Sequence, residues 1–120
     1  MAVRGAIPAL VGLCVLLGAA ACGSSRRSEP ILGPPPLDSP EELKGEQLFM
    51  KFCNQCHPGG AGGLGPGLNN KPAPAAAIRL QIRKGLGAMP AFSDDEIIDP
   101  DVEAIIAYML AMRSYEDGDD

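Results

Sequence analysis

The sequence predicts an all-α domain, on three observations. Three segments carry apolar residues at helical spacing and begin or end on recognisable caps. No stretch alternates apolar and polar residues as a half-buried strand does. The intervening stretches are rich in Gly and Pro, of which the chain has 15 and 12. A length of 120 residues leaves room for one small domain. Its core is modest, and domains of this size often depend on a disulfide, a metal or a cofactor. The formal net charge is −5 and no basic stretch could follow a phosphate backbone, which excludes nucleic acid as a partner.

The first element is an export leader, residues 1–21. Arg4 supplies its positive start, and residues 6–20 form an almost uninterrupted apolar run. That run falls short of the about 20 residues that a membrane-spanning helix needs. Two cleavage readings fit. Ala19 and Ala21 satisfy an A-x-A site, while Ala19-Ala20-Ala21-Cys22 resembles a bacterial lipobox, although Leu is usual where Ala19 stands. The lipobox reading is preferred: Cys22 becomes a lipidated N-terminus, the membrane anchor, and Cys14 is discarded with the leader. Residues 22–39 then form a polar tether, which Pro34-Pro35-Pro36 stiffens towards polyproline II.

The domain itself is expected over residues 40–113. Ser39 and Glu42 make a capping box, with Pro40 at the first helical position, and the helix runs to Phe52. Gly45 interrupts it at a cost of about 1 kcal/mol against Ala, which suggests a close crossing by another helix. Residues 59–67 hold too many glycines for regular structure. A short helix spans residues 75–84, with Ile78 and Ile82 on one face and Gly85 as its stop. Ser93 and Glu96 cap a single turn. Asp99-Pro100 opens the last helix, which runs to about Arg113 along the stripe Ile105, Tyr108 and Met112. Residues 114–120 are an acidic tail.

Cys53-Asn54-Gln55-Cys56-His57 carries the chemistry. C-x-x-C-H is the attachment pattern for a c-type haem: two thiols one turn apart add across two vinyl groups, and the adjacent His ligates the iron. A redox C-x-x-C pair would open a helix in a βαβ context, which is missing. A structural zinc needs four ligands, and His57 is the only His. An ordinary disulfide leaves the His unexplained. Haem iron with His57 still needs a sixth ligand, and Met beside His is the pairing of electron-transfer cytochromes. Met50 lies one turn before Cys53, on the wrong side, and Met109 and Met112 belong by default to a helix core. Met89 sits in a flexible loop, Gly85-Leu86-Gly87-Ala88-Met89-Pro90, and is the assigned ligand.

With these residues in view, the chain resembles small bacterial class I c-type cytochromes over about residues 40–113. Besides the attachment motif, Gly65-Pro66-Gly67-Leu68 is similar to the family's Gly-Pro-x-Leu, and Ile82-Arg83-Lys84-Gly85 leads to Met89-Pro90. Gly45 and Phe49 match a Gly and a Phe four residues apart on the family's first helix, which cross a Leu or Ile and a Tyr on the last, here Ile105 and Tyr108. The resemblance implies the cytochrome c fold, with crossed terminal helices and a short middle helix around one covalent haem c. It implies that the Pro66 carbonyl accepts a hydrogen bond from His57 Nδ1. Leu68, Leu80 and Phe92 are expected to line the haem pocket.

An iron with both axial sites filled cannot readily bind a substrate, so the expected role is a one-electron carrier between redox proteins, with no small-molecule substrate. Two alternatives stay open: a haem enzyme or gas sensor in which Met89 leaves easily, and a haem subunit of a larger respiratory complex. Arg79, Arg83 and Lys84, with Lys71 before them, form a basic group. It reads first as a solvated helix face, and otherwise as a screen for the haem propionates or a dock for an acidic partner.

Overall fold

The computed structural model describes residues 33–69 and 71–116. The leader with Cys14 and Cys22, most of the tether, and residues 117–120 lie outside the described residues. Among the described residues, three helices and one tight turn follow in order: α1 Pro40–Phe52, a 3-10 turn Pro58–Gly60, α2 Ala75–Lys84 and α3 Asp99–Glu116. No helix among the described residues is long and apolar enough to cross a membrane.

α1 starts where its capping box dictates. Ser39 Oγ accepts from the Glu42 amide at 3.1 Å, and the Glu42 carboxylate accepts from the amides of Ser39 at 3.0 Å and Asp38 at 2.7 Å. Three amides that would otherwise lack a protein acceptor are thus satisfied at the helix entry. Just upstream, Leu37 packs against the core, so the end of the tether is docked on the domain.

α1 buries Gly45 and Phe49 against α3. A Cβ at Gly45 would overlap the Ala104 carbonyl oxygen and stand 2.9 Å from Tyr108 Cβ. The missing side chain is what lets the two backbones touch. One turn on, the Phe49 and Tyr108 rings lie 5.3 Å apart at 55°, a tilted aromatic pair at the centre of the crossing. Burial, and then Glu46, raise the Tyr108 phenol above its ordinary range. The expected crossing is present, with one shift in detail: it is the Ala104 carbonyl that meets Gly45, while Ile105 is fully buried in the core beside Met112.

α2 lays Ile78 and Ile82 into the same core and joins α3 through Arg79, whose guanidinium meets Glu103 at 2.5 and 2.6 Å. Gly85, at φ 65°, ends it. The Ser93–Glu96 turn forms as well: the Ser93 amide and hydroxyl both donate to Glu96 Oε2 at 2.9 Å and hold that carboxyl below its usual range. α3 continues past Arg113 to Glu116. Ser114 Oγ donates to Leu110 O, and the Arg113 guanidinium donates to Met109 O and to the carbonyls of Lys71 and Ala73. These contacts hold the last turn onto the 71–73 segment.

Candidate cofactor site

Where α1 ends, its chain folds directly into the cysteine motif. The Cys53 amide still donates to Phe49 O, and the amides of Cys56 and His57 both return to Cys53 O, at 3.1 and 2.9 Å. Both thiols and the imidazole therefore hang from one tight turn. Cys53 and Cys56 are not bonded to each other. Burial, then the nearby Cys56, push the Cys53 thiol up to about 11. That runs opposite to the depressed thiols of redox C-x-x-C pairs. No three His, Cys, Asp or Glu side chains among the described residues group as a metal site.

The glycine-rich stretch serves to bring a carbonyl back to the ring. The 3-10 turn Pro58–Gly60 reverses the chain, with the Gly59 amide held by Asn54 Oδ1 at 2.8 Å. The Gly65 amide donates to Cys56 O, and the amides of Leu68 and Asn69 donate to Gly60 O. Pro66 O then meets His57 Nδ1 at 2.7 Å. Gly65 lies flat on the imidazole: a Cβ there would stand 2.7 Å from Nδ1 and 2.8 Å from Nε2. His57 is buried and its ring orientation is set by these two neighbours. With Nδ1 donating to a carbonyl, the neutral imidazole keeps Nε2 as its only acceptor. Leu68 is half-buried and packs on the core.

Met89 stands on a loop that leaves α2 and returns to it. Leu86 and Met89 exchange backbone hydrogen bonds at 3.2 and 3.0 Å, and the Phe92 amide donates to Ile82 O at 2.9 Å. Gly85 is needed twice, for its positive φ and because a Cβ would come within 2.9 Å of Ala91 N. Met89 is half-buried beside the core, and its Sδ lies 3.5 Å from Gln81 Nε2, which donates to it. The Phe92 ring meets Phe52 edge-on at 6.1 Å, linking the Met89 loop to the residue before Cys53. Met109 and Met112 are buried in the helix core, and a Cβ on Gly60 would press on Met112, so both have packing roles. Leu80 is 60 % exposed, away from the face of α2 that carries Ile78 and Ile82.

The basic group divides: Lys84 is exposed and Arg79 partly so, while Arg83 is mostly covered. Arg79 is engaged with Glu103, and Arg83 turns its guanidinium inward onto backbone carbonyls. Reading the sequence missed this, and missed Gln81. Both contacts span eight or more residues across a loop, and nothing in local spacing marks them.

Two unpaired thiols, an imidazole with one free acceptor nitrogen and a thioether sulfur are the donor set of a covalently held haem, and the residues fit it. Residues 40–109 match the family model described as cytochrome C oxidase, cbb3-type, subunit III. The chain belongs to the c-type cytochrome family. It is similar to cytochrome c6 of Cyanidioschyzon merolae, 36 % identical over 75 residues that cover 56 % of this chain and 70 % of that one. Against cytochrome c6 of Synechocystis the identity is 38 % over 74 residues, covering 55 % and 61 %. Against the cytochrome c subunit of the 4-cresol dehydrogenase of Pseudomonas putida it is 32 % over 68 residues, covering 57 % and 59 %. The chain thus spans about three fifths of the length of the last two. No solved structure matches it. This c-type cytochrome carries one covalent haem c and is a monohaem electron carrier with the all-α fold of its family.

Proposed function

We propose that Cys53 and Cys56 hold the haem as thioethers, that His57 Nε2 and Met89 Sδ are the axial donors, and that the protein is exported and anchored through a lipidated Cys22. Bound haem supplies a one-electron ferric/ferrous couple. The chain's own residues keep that couple in one geometry. The observation that carries the ligand assignment is the 2.7 Å contact of His57 Nδ1 with Pro66 O, which with Gly65 on the ring fixes the imidazole and leaves Nε2 as its acceptor. Such support fixes the tautomer and raises the basicity of the ligating nitrogen. Gln81 and the 86–89 backbone pair orient the sulfur in the same way. The partners are then redox proteins that donate and accept single electrons, and no small-molecule substrate binds.

Met89→Ala tests the assignment. The ferric wild type is expected to show the weak far-red band of methionine sulfur on low-spin haem. The variant is expected to lose it, bind carbon monoxide rapidly when reduced, and have a lower potential. A variant that keeps the band would move the ligand role to Met109 or Met112.

A second reading is favoured by one relative, a cytochrome subunit of a dehydrogenase. On that reading the chain is the electron-accepting subunit of a larger redox enzyme. Gel filtration of detergent extracts separates the two: a free carrier elutes at its own mass, and a subunit co-elutes with a second redox protein.

A further inference from the structure

Arg83 is the most heavily engaged cation among the described residues, and the role of a c-type cytochrome gives it no part. Its side chain is only 16 % exposed. Nη1 donates to the carbonyls of Phe92 at 3.2 Å, Ser93 at 3.1 Å and Ile97 at 2.7 Å. Nη2 meets Asp99 at 2.6 Å and Asp94 at 3.2 Å. All five acceptors lie in residues 92–99, the segment that follows Met89-Pro90-Ala91. A planar guanidinium presents its donors in a fixed fork, so it can gather several acceptors that a point charge cannot.

The other end of the Met89 loop is tied to the same turn of the same helix, through the Gly85 amide on Gln81 O. Residues 85–92 therefore form a closed loop whose return is held by the Phe92 amide on Ile82 O and by Arg83. For Met89 to swing away from the site, the returning chain must lift from α2, and that breaks the Arg83 contacts to the carbonyls of Phe92 and Ser93. Such a loop opening is local and does not require the helices to separate.

We infer that Arg83 is a positioning residue: its guanidinium clamps the return of the Met89 loop to α2 and so sets how rarely the methionine sulfur leaves the iron. This rests on the proposed Met89 ligation. Loss of the clamp raises the population of the open loop while leaving the closed ligand set unchanged.

The test uses the purified haem-loaded protein and imidazole as the entering ligand, whose binding to ferric haem is limited by departure of the sulfur. In Arg83→Gln the far-red band is retained at neutral pH, and imidazole binds faster by about tenfold, the equivalent of one charge-assisted hydrogen bond. Arg79→Gln is the control, since it cuts a guanidinium–carboxylate pair from the same helix to α3, and the hydrogen bonds of Arg79 go to Glu103 rather than to residues 92–99. It lowers the urea midpoint without changing the imidazole rate. Should Arg83→Gln fail to accumulate, Arg83→Lys carries the test: one ammonium reaches fewer of the acceptors, and the rate rises about threefold. An unchanged rate in the Arg83 variants, or an equal rise in Arg79→Gln, overturns the clamp while the band in the wild type still supports Met89. A wild type without the band overturns the ligand assignment, and the clamp with it.

Discussion

Replacing Gly45 by Ala sets two effects of known size against each other. Ala in a helix interior is favoured over Gly by about 1 kcal/mol, so on propensity alone the variant should be more stable. The crossing with α3 opposes that. The new Cβ would overlap the Ala104 carbonyl oxygen and stand 2.6 Å from its carbon, and both are backbone atoms of a helix that cannot rotate away. Overpacking of this kind costs about 1–3 kcal/mol, and a rigid obstacle places the cost near the upper end. The net loss is then about 2 kcal/mol, the difference between those two terms. For a domain of this size 1 kcal/mol moves the thermal midpoint by about 4–8 °C, so the expected fall is about 8–16 °C. Circular dichroism and Soret absorbance of the ferric protein would both follow it. A midpoint that stays level or rises would mean that α1 and α3 part without cost, and would refute the backbone-to-backbone crossing.

Gln81→Leu removes the donor to the Met89 sulfur. The ferric state then gains from a more electron-rich ligand, and the potential falls by about 20–40 mV, the one-electron equivalent of a weak hydrogen bond of about 0.5–1 kcal/mol. Protein-film voltammetry measures it; a rise in potential would sink the assignment of that contact. Replacing both Cys53 and Cys56 by Ser removes both thioethers, so acid-acetone extracts whatever pigment that variant holds while wild-type pigment stays with the chain, and extractable colour in the wild type would contradict covalent attachment. Cys22→Ala releases the protein from the membrane fraction, and an unmodified mature N-terminus in wild-type mass spectra would favour simple secretion instead.

What the sequence made legible was local. α1 runs Pro40–Phe52 and α2 runs Ala75–Lys84, as their caps indicate, because Ser39, Glu42 and Gly85 act on backbone groups within four residues. The His57–Pro66 contact was legible only through family resemblance, since the pair stands nine positions apart across a glycine-rich chain. The end of α3 was misjudged because what extends it is tertiary: the Arg113 side chain reaches back to Lys71 and Ala73. Arg83 read as part of a solvated face for the same reason. Three of its five partners are main-chain carbonyls, which are present at every residue and leave no mark in composition, and the other two, Asp94 and Asp99, lie eleven or more residues away.

The loop that carries Met89 begins and ends on one turn of one helix, and Gly87 at its tip has nothing within 4 Å of where a Cβ would stand. Its length is therefore uncoupled from the register of the crossing helices. Residues could be inserted or exchanged at that tip without re-threading the rest of the chain, so the sulfur side of the cofactor can be altered as a self-contained cassette while the thiol and imidazole side, knit separately through residues 53–69, stays as it is.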